Sequence, residues 1–269
     1  MDIRYVTDIS VEGTLHCFTV RAPQPRGVLA AVHPPELPRG IRLITAADIP
    51  GTRAVDIGGT TVPVLAEGEV SYFGEPVALL VGPDPEELAV LGEAVSVEMD
   101  PGEPVFEPDA DDDDHRAVER HFLRGDPAGE LANAYQVVQG EYRTGAQEHM
   151  YNEPIAALAT QDGDRIAVYT ATQWPHHVAH SCDRVLGETH RVRVHPTRLG
   201  EHLDGKLWEP SLVAARAALA AHLTGRPVRL SYAAPEDFFY TSKRSPMFAS
   251  YTAGLDAEGN LQALQVRLV

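Results

Sequence analysis

The chain has 269 residues, enough for one large or two ordinary domains, and 43% of them are hydrophobic, which is typical of a globular protein. Its 39 acidic and 22 basic side chains give a formal net charge of −17, which repels nucleic acid and anionic lipid and disfavours both as partners. The sequence shows neither a long apolar run nor a signal-peptide pattern, so we predict a cytoplasmic protein with no membrane partner.

The first 105 residues alternate short strand patterns with one helix. Strands are predicted at residues 14–20, 27–33, 77–81 and 95–99. Asp84 is placed to cap a helix, Pro85 suits the first helical position, and acids follow in the first turn, so this helix is predicted to run to about residue 94. These elements predict an α+β unit that ends near residue 105.

An acidic linker or exposed crossover is predicted at residues 106–120. Four consecutive aspartates at residues 111–114 repel one another and favour an extended, hydrated chain. A metal site built from these acids is the alternative, and the solvated loop is the favoured interpretation.

Further strand patterns follow in residues 121–269, at 135–142, 155–160, 165–170 and 191–195. An alanine-rich helix is predicted at 211–223, with Gly225 just past its end, where a left-handed cap suits glycine. The last two strands, 249–255 and 261–269, are joined by a turn. The final strand pattern has no stop signal, so we expect the fold to continue elsewhere and the isolated chain to expose an apolar strand edge and associate.

Gly200, Gly205 and Lys206 have the spacing of a phosphate-binding P-loop, with Leu207 where that pattern requires Ser or Thr. The hydroxyl that would hold magnesium is therefore missing, and Glu201 and Asp204 add negative charge around an anion. The predicted helix starts only after Pro210. These features disfavour a nucleotide site and leave open a different anionic ligand.

Three histidines, His176, His177 and His180, lie at the start of a predicted helix. His176 and His180 share one helix face and have the spacing to chelate zinc, but no third ligand is evident, so a helix start facing a partner subunit is the favoured interpretation. Cys17 and Cys182 form no Cys-x-x-Cys pair, which disfavours an iron–sulfur cluster, a cysteine zinc site and a disulfide. Two reduced, buried thiols are expected.

The segment 144–154 is rich in polar side chains and is flanked by predicted strands. Gln147 offers both a donor and an acceptor to a bound group. No Ser-His-Asp spacing indicates a nucleophile, and residue types alone leave a functional and a structural role equally open.

Several short motifs of the chain together carry a family resemblance. The longest is Gly145-Ala146-Gln147-Glu148-His149-Met150-Tyr151-Asn152-Glu153-Pro154, which is similar to the G-x-Q-E-H-x-Y-x-E-P segment in the molybdenum-binding subunit of the xanthine dehydrogenase and aldehyde oxidase family. The other matching segments are 44–51, 72–78, 172–175, 224–228, Glu236-Asp237 and Arg244-Ser245-Pro246. They occur in the family's order along nearly the whole chain.

The resemblance implies an amino-terminal α/β hammerhead domain followed by the first part of a molybdopterin-binding region. It implies a molybdenum ion, held by a pterin, that hydroxylates an aldehyde or a purine-like N-heterocycle with oxygen from water. Electrons would leave through iron–sulfur clusters and FAD, expected on partner chains. Gln147 matches the glutamine that hydrogen-bonds the molybdenum oxo group, and no residue of this chain is expected to bind the metal directly.

The loop at 200–206 matches the family's G-G-G-F-G-G-K, in which glycines let the backbone approach the cofactor. Gly200, Gly205 and Lys206 are kept, Leu203 replaces the phenylalanine, and the remaining glycines are replaced by Glu201, His202 and Asp204. Leu207 stands where purine-oxidising relatives carry a substrate-binding glutamate, which disfavours a purine substrate. These departures favour weakened cofactor binding.

We therefore predict a mixed α+β subunit with a hammerhead domain at 1–105, a linker at 106–120 and the first part of a molybdopterin-binding domain at 121–269. Gln147, Gly200, Leu203, Gly205 and Lys206 are the predicted cofactor-pocket residues, and Leu207 is the predicted substrate-side residue. The general base is expected in another polypeptide of a hetero-oligomer, so the chain alone is not expected to catalyse the reaction. The alternative is a noncatalytic assembly or scaffold homologue that has lost cofactor binding.

Overall fold

The computed structural model describes residues 4–106, 118–187, 189 and 191–269. The chain divides into two compact units: residues up to 104 together with 149–242 form the first, and residues 105–148 together with 243–269 form the second. The acidic run at 111–114 lies outside the described residues. No helix within the described part of the chain is long and apolar enough to span a bilayer.

The first unit contains a seven-stranded mixed sheet. Its strands, in sheet order, are β12 (Val192–Pro196), β11 (Arg165–Thr170), β10 (Ala156–Asp162), β13 (Val228–Ser231), β1 (Leu15–Arg21), β7 (Pro76–Gly82) and β3 (Arg42–Thr45). The pairs β1–β13 and β11–β12 are parallel, and the other neighbours are antiparallel. The sheet therefore joins strands from both sides of the predicted linker, and the predicted domain boundaries stay a prediction.

Two smaller sheets and three longer helices complete the first unit. The small sheets are β6 (Glu69–Val70), β2 (Gly27–His33) and β8 (Ser96–Pro101), and the pair β4 (Ala54–Ile57) and β5 (Thr60–Pro63). The helices are α1 (Pro85–Glu93), α3 (Pro175–Leu186) and α4 (Glu209–Thr224), with the shorter α5 (Ala234–Tyr240) and two 3-10 turns at Val6–Asp8 and Ala46–Asp48.

Helix α4 fills the centre of the main core. Every residue from Glu209 to Ala221 is buried, because α4 is packed against both the sheet and α3, and its small alanine side chains permit close approach. Gly225 ends the helix with a φ of 66°, the left-handed conformation expected of it. The helix begins at Glu209 rather than at the predicted residue 211, because Pro210 fits within the first turn.

The predicted helix at residues 85–94 is confirmed as α1. The Asp84 carboxylate accepts the N–H groups of Glu86 at 2.9 Å and Glu87 at 3.4 Å, which satisfies two donors that the helix itself leaves free. Leu88 is buried in a second apolar cluster with β1, β7, β2 and β8.

The second unit contains a three-stranded antiparallel sheet and one short helix. The strands, in sheet order, are β15 (Leu261–Leu268), β14 (Met247–Leu255) and β9 (Gln136–Thr144), with helix α2 (Pro127–Asn133) against β15 and β14. The predicted hairpin of β14 and β15 is confirmed. Strand β15 lies at an edge of this sheet, and Leu261, Leu264, Val266 and Leu268 on it are exposed, while the association expected from such an edge stays a prediction.

Candidate cofactor site

Glu153 and Lys206 form a buried ion pair that links the 145–154 segment to the 200–206 loop. The Lys206 ammonium lies 2.9 Å from Glu153 Oε2, its side chain is fully buried, and that of Glu153 is 12% exposed. Gly200 N–H also donates to Glu153 Oε2, at 3.2 Å. Burial lowers the pKa of Lys206, and Glu153 opposes this shift. Lys206 therefore holds the loop in place from within, rather than presenting its charge to a ligand.

Tyr151 packs against the same loop. Its ring lies 4.9 Å from Lys206 Nζ, and its hydroxyl donates to Asp237 Oδ1 at 2.5 Å. Burial and the hydrogen bond to Asp237 raise the pKa of Tyr151. A Cβ atom at Gly205 would lie 2.3 Å from the Tyr151 ring and 2.9 Å from His149 Cβ. Glycine at 205 is therefore required by packing against the protein itself.

Two consecutive residues of this loop have a backbone conformation typical of glycine although neither is glycine. Leu203 and Asp204 have φ angles of 42° and 64°, in the left-handed region that most side chains avoid. The N–H of Asp204 meets His202 Nδ1 at 3.3 Å, and the Leu203 carbonyl accepts His149 Nδ1–H at 2.7 Å. These contacts hold a strained turn in a defined shape.

Three consecutive N–H groups of this loop are available to a ligand. Within the described part of the chain, the amides of Glu201, His202 and Leu203 donate to no protein acceptor, whereas those of Gly200, Asp204 and Gly205 are engaged. A ligand rich in acceptor atoms fits such a set of donors. The exposed carboxylates of Glu201 and Asp204 oppose an anion at the same place.

Gln147 lies in the second unit, where Arg244 fixes its orientation. The two residues exchange backbone hydrogen bonds of 3.1 and 2.9 Å, and the Arg244 guanidinium donates to Gln147 Oε1 at 3.2 Å. Because a guanidinium only donates, the amide oxygen must face Arg244, which leaves the two N–H bonds of the Gln147 amide for another acceptor. No described contact uses them.

The predicted site residues therefore fall into two groups. Gly200, Leu203, Gly205 and Lys206 lie in the first unit: Gly200 and Lys206 contact the Glu153 carboxylate, Leu203 contacts His149, and Gly205 lies against Tyr151 and His149. Gln147 belongs to the second unit with Arg244. Leu207, predicted on the substrate side, is half-buried directly after Lys206.

The histidine pattern is confirmed as the start of α3, with His176 and His180 exposed on one face. Among the described residues, no group of three or more His, Cys, Asp or Glu side chains is placed to hold a metal ion. His177 has a structural role: Nε2 lies 2.9 Å from the Asp56 carbonyl and Nδ1 lies 2.8 Å from Ser211 Oγ. Both cysteines are buried and free.

Sequence reasoning missed a buried charge cluster near the start of α4. Arg216 is fully buried, and it donates to the Val64 carbonyl at 2.8 Å and to the Tyr232 hydroxyl at 3.1 Å. Burial raises the pKa of Glu209, while the positive charges of Arg216 and Arg21 lower it in part. Arg216 within the predicted alanine-rich helix, and Glu209 just before it, were the available sequence signal.

Comparison with known proteins identifies the family of the chain. A family model described as the molybdopterin cofactor-binding domain matches residues 109–269. The chain is 29% identical to aldehyde oxidase 2 of Macaca fascicularis over 237 residues, covering 86% of this chain and 17% of that protein. It is 29% identical to xanthine dehydrogenase/oxidase of Rattus norvegicus over 236 residues, covering 86% and 18%. The chain thus spans about a fifth of the length of these curated relatives.

Solved structures show the same fold. The aldehyde oxidoreductase of Desulfovibrio gigas matches with a TM-score of 0.85 at 22% identity, over 99% of this chain and 32% of that one. The reconstituted CO dehydrogenase of Oligotropha carboxidovorans matches with a TM-score of 0.87 at 18% identity, over 99% and 37%. The predicted mixed α+β fold is confirmed, and the hammerhead stays a prediction. Because the family model covers more than half of the sequence, the chain belongs to the molybdopterin cofactor-binding domain family of xanthine dehydrogenase and aldehyde oxidase proteins.

Proposed function

We propose that this chain is part of a molybdenum hydroxylase and contributes hydrogen-bond donors to its molybdopterin cofactor. The observation that carries the proposal is the orientation of Gln147: Arg244 occupies the amide oxygen, so the amide N–H bonds are left to donate to an acceptor such as an oxo group. When bound, the cofactor supplies the oxidation chemistry, and water supplies the oxygen that enters the product.

The backbone of the 200–206 loop supports the same role. The backbone N–H groups of Glu201, His202 and Leu203, which donate to no acceptor within the described part of the chain, are neutral donors that a ligand rich in acceptor atoms can use. Lys206 contributes indirectly, because its ion pair with Glu153 fixes the loop. We therefore assign Lys206 and Gly205 a positioning role.

The proposed reaction is oxidation of an aldehyde or an N-heterocycle, with electrons passing to iron–sulfur and FAD groups on partner chains. Leu207 lacks the carboxylate that the family resemblance associates with purines, which favours a non-purine substrate. We also propose the hammerhead domain at 1–105, the linker at 106–120, a general base supplied by a partner polypeptide and a cytoplasmic hetero-oligomer.

A second candidate function is a noncatalytic scaffold that keeps the fold without the cofactor. The exposed carboxylates of Glu201 and Asp204 favour it, because they stand beside the free N–H groups. At an effective dielectric of about 20, two like unit charges about 6 Å apart repel by roughly 3 kcal/mol before screening by salt, enough to oppose an anionic pterin.

Metal and pterin analysis of the protein purified with its natural partners tests the proposal. Molybdenum and pterin in near-equal amounts to the chain are expected. In that assembly, Gln147→Ala is expected to lower turnover by about tenfold to a hundredfold, the loss of one transition-state hydrogen bond. The control is Gln139→Ala, another exposed glutamine of the same unit, which bonds Thr252 Oγ1. Unchanged turnover of Gln147→Ala at full molybdenum loading would contradict the role of Gln147.

A loop variant distinguishes the two candidates. Glu201→Gly, His202→Gly, Leu203→Phe and Asp204→Gly together remove the carboxylates and the bulk while leaving Lys206 paired with Glu153. If the natural chain already carries full pterin and molybdenum, the enzyme proposal stands. If only the restored loop gains them, the scaffold candidate is supported.

A further inference from the structure

Both tryptophans of the chain lie in one cluster with His177, beside the loop that ends at Lys206. In this tryptophan cluster, the rings of Trp174 and Trp208 meet edge to face, with centroids 4.9 Å apart and planes inclined by 67°. The N–H of Gln173, the residue before Trp174, donates to the Lys206 carbonyl at 3.0 Å. Trp208 lies two residues after Lys206. The cluster therefore borders the end of the loop where the predicted substrate-side residue lies.

His177 holds the Trp174 ring in place. The two rings are stacked, with centroids 4.7 Å apart and planes inclined by 22°. His177 is itself fixed by two hydrogen bonds: Nε2 donates to the Asp56 carbonyl at 2.9 Å, which leaves Nδ1 to accept from the Ser211 hydroxyl at 2.8 Å. Trp174 nevertheless remains 39% exposed. A large aromatic side chain that is fixed by its neighbours and open to solvent is a preorganised stacking surface.

The charged groups on either side of the cluster in sequence are already matched within the protein. Lys206 is paired with Glu153, and the buried carboxylate of Glu209 faces two arginines. Leu207, which lies between Lys206 and Glu209, is aliphatic and half-buried. A ligand placed on the Trp174 ring at this end of the loop therefore meets aromatic and aliphatic surface, which favours a neutral, planar group over an ion.

We propose that Trp174 is a specificity-determining residue on which a planar aromatic substrate stacks. The substrate class is then an aryl aldehyde or an aromatic N-heterocycle, rather than an alkyl aldehyde. The indole removes part of the substrate ring from water, and stacking of two aromatic rings adds about twofold to tenfold in affinity beyond the area that they bury. The inference rests on the proposed function, because it takes the loop that ends at Lys206 to lie on the cofactor.

2-Naphthamide and its saturated counterpart decahydro-2-naphthamide test the proposal. Both probes are neutral and carry the same amide, and only the first has a planar aromatic ring system. Saturation-transfer NMR titrations of the full chain measure both affinities without any cofactor or turnover. 2-Naphthamide is expected to bind about twofold to tenfold more tightly than the saturated amide. Equal affinities, or no binding of 2-naphthamide, overturn the proposal.

The indole N–H signals locate the bound probe. Labelling tryptophan with ¹⁵N gives one such signal for each of the two tryptophans, and the variant Trp174→Phe assigns them. The Trp174 signal is expected to shift more than the Trp208 signal when 2-naphthamide binds. A shift confined to the Trp208 signal contradicts the assignment to Trp174.

Two variants and a control separate stacking from general apolar contact. Trp174→Ala is expected to bring the affinities for the two amides to within about twofold of each other, while Trp174→Phe, which keeps an aromatic ring, should retain part of the preference. Phe238→Ala is the control, because Phe238 is a 48% exposed aromatic residue of the same unit that lies outside the tryptophan cluster. An equal loss of preference in Trp174→Ala and Phe238→Ala overturns the proposal.

Failure of this inference and failure of the proposed function give different results. In the assembled enzyme, Trp174→Ala is expected to raise KM for benzaldehyde by about twofold to tenfold relative to KM for butanal, at unchanged molybdenum content. Equal changes for the two aldehydes contradict the role of Trp174 while leaving cofactor binding intact. An assembly without molybdenum and pterin contradicts the proposed function, whereas the amide titrations of the full chain still decide whether Trp174 stacks aromatic rings.

Discussion

Replacing Lys206 by methionine removes a charge from the interior while keeping most of the side-chain volume. The Lys206 ammonium lies 2.9 Å from Glu153 Oε2, and at an effective dielectric of about 20 this separation corresponds to roughly 6 kcal/mol of attraction. Burial lowers the pKa of Lys206 while Glu153 raises it, so desolvation of the ammonium opposes that attraction. The intact pair therefore contributes little net stability.

The single substitution is nevertheless expected to be severe. In Lys206→Met, the Glu153 carboxylate keeps only the N–H of Gly200 as a donor, and an uncompensated buried charge costs about 3–5 kcal/mol. The double variant Lys206→Met/Glu153→Gln removes both charges and is expected to recover about half or more of that loss. This recovery separates the effect of charge from that of lost packing.

Urea and thermal unfolding of the full chain measure these differences. A loss of about 3 kcal/mol lowers the Tm of a domain of this size by at least about 6 °C. The control is Arg53→Met, which breaks the exposed ion pair of Arg53 with Glu67 and is expected to cost less than about 1 kcal/mol. A Lys206→Met loss as small as that of the control, or a double variant no more stable than the single one, would refute the reasoning.

Three further predictions follow from the loop and from α4. Gly205→Ala is expected to lower the free energy of unfolding by about 1–3 kcal/mol, because the added Cβ would lie 2.3 Å from the Tyr151 ring. The control, Gly145→Ala, has open space around the added Cβ and should change this free energy by less than about 0.5 kcal/mol. Equal losses in urea unfolding would contradict this account. Asp204→Gly is expected to gain about 0.5–1 kcal/mol, measured by urea unfolding, because Asp204 has a φ of 64°, and a loss of stability would show that no strain is stored there. Burial raises the pKa of Glu209 above its ordinary 4.5, so the folded state keeps the Glu209 proton at pH values where the unfolded chain has lost it, and the free energy of unfolding is expected to fall as the pH rises from 4.5 through the folded pKa. In Glu209→Gln this decrease, measured by unfolding at a series of pH values, should be smaller. An unchanged slope would exclude Glu209 as its cause.

Local sequence signals predicted the elements that depend on neighbouring residues. Asp84 and Pro85 predicted the start of α1, and Gly225 predicted the end of α4, because caps are satisfied by residues within one turn. Strand β2 was predicted with its observed bounds, Gly27–His33. Motif order along the chain also indicated the family, since short motifs retain the chemistry of a site even when each is weak alone.

Short elements and the order of strands were not predictable in this way. The strands Ala54–Ile57 and Thr60–Pro63 and the helix Ala234–Tyr240 carry too few residues for a periodic pattern. The pairing of β1 with β13 joins Leu15 to Val228, which no local rule connects. Sheet order depends on contacts between residues far apart in the chain, and these form only in the folded state.

The candidate site likewise has features that the sequence predicts and features that depend on the tertiary structure. The family resemblance of the sequence predicts that Gln147, Gly205 and Lys206 belong to a cofactor site, and this assignment stays a prediction. Only the tertiary structure decided that the Lys206 charge is directed inward to Glu153 and that Tyr151 leaves no room for a side chain at 205. The reason is physical: burial and the nearest partner decide whether a charged group faces a ligand or the protein, and both are set by contacts across the fold.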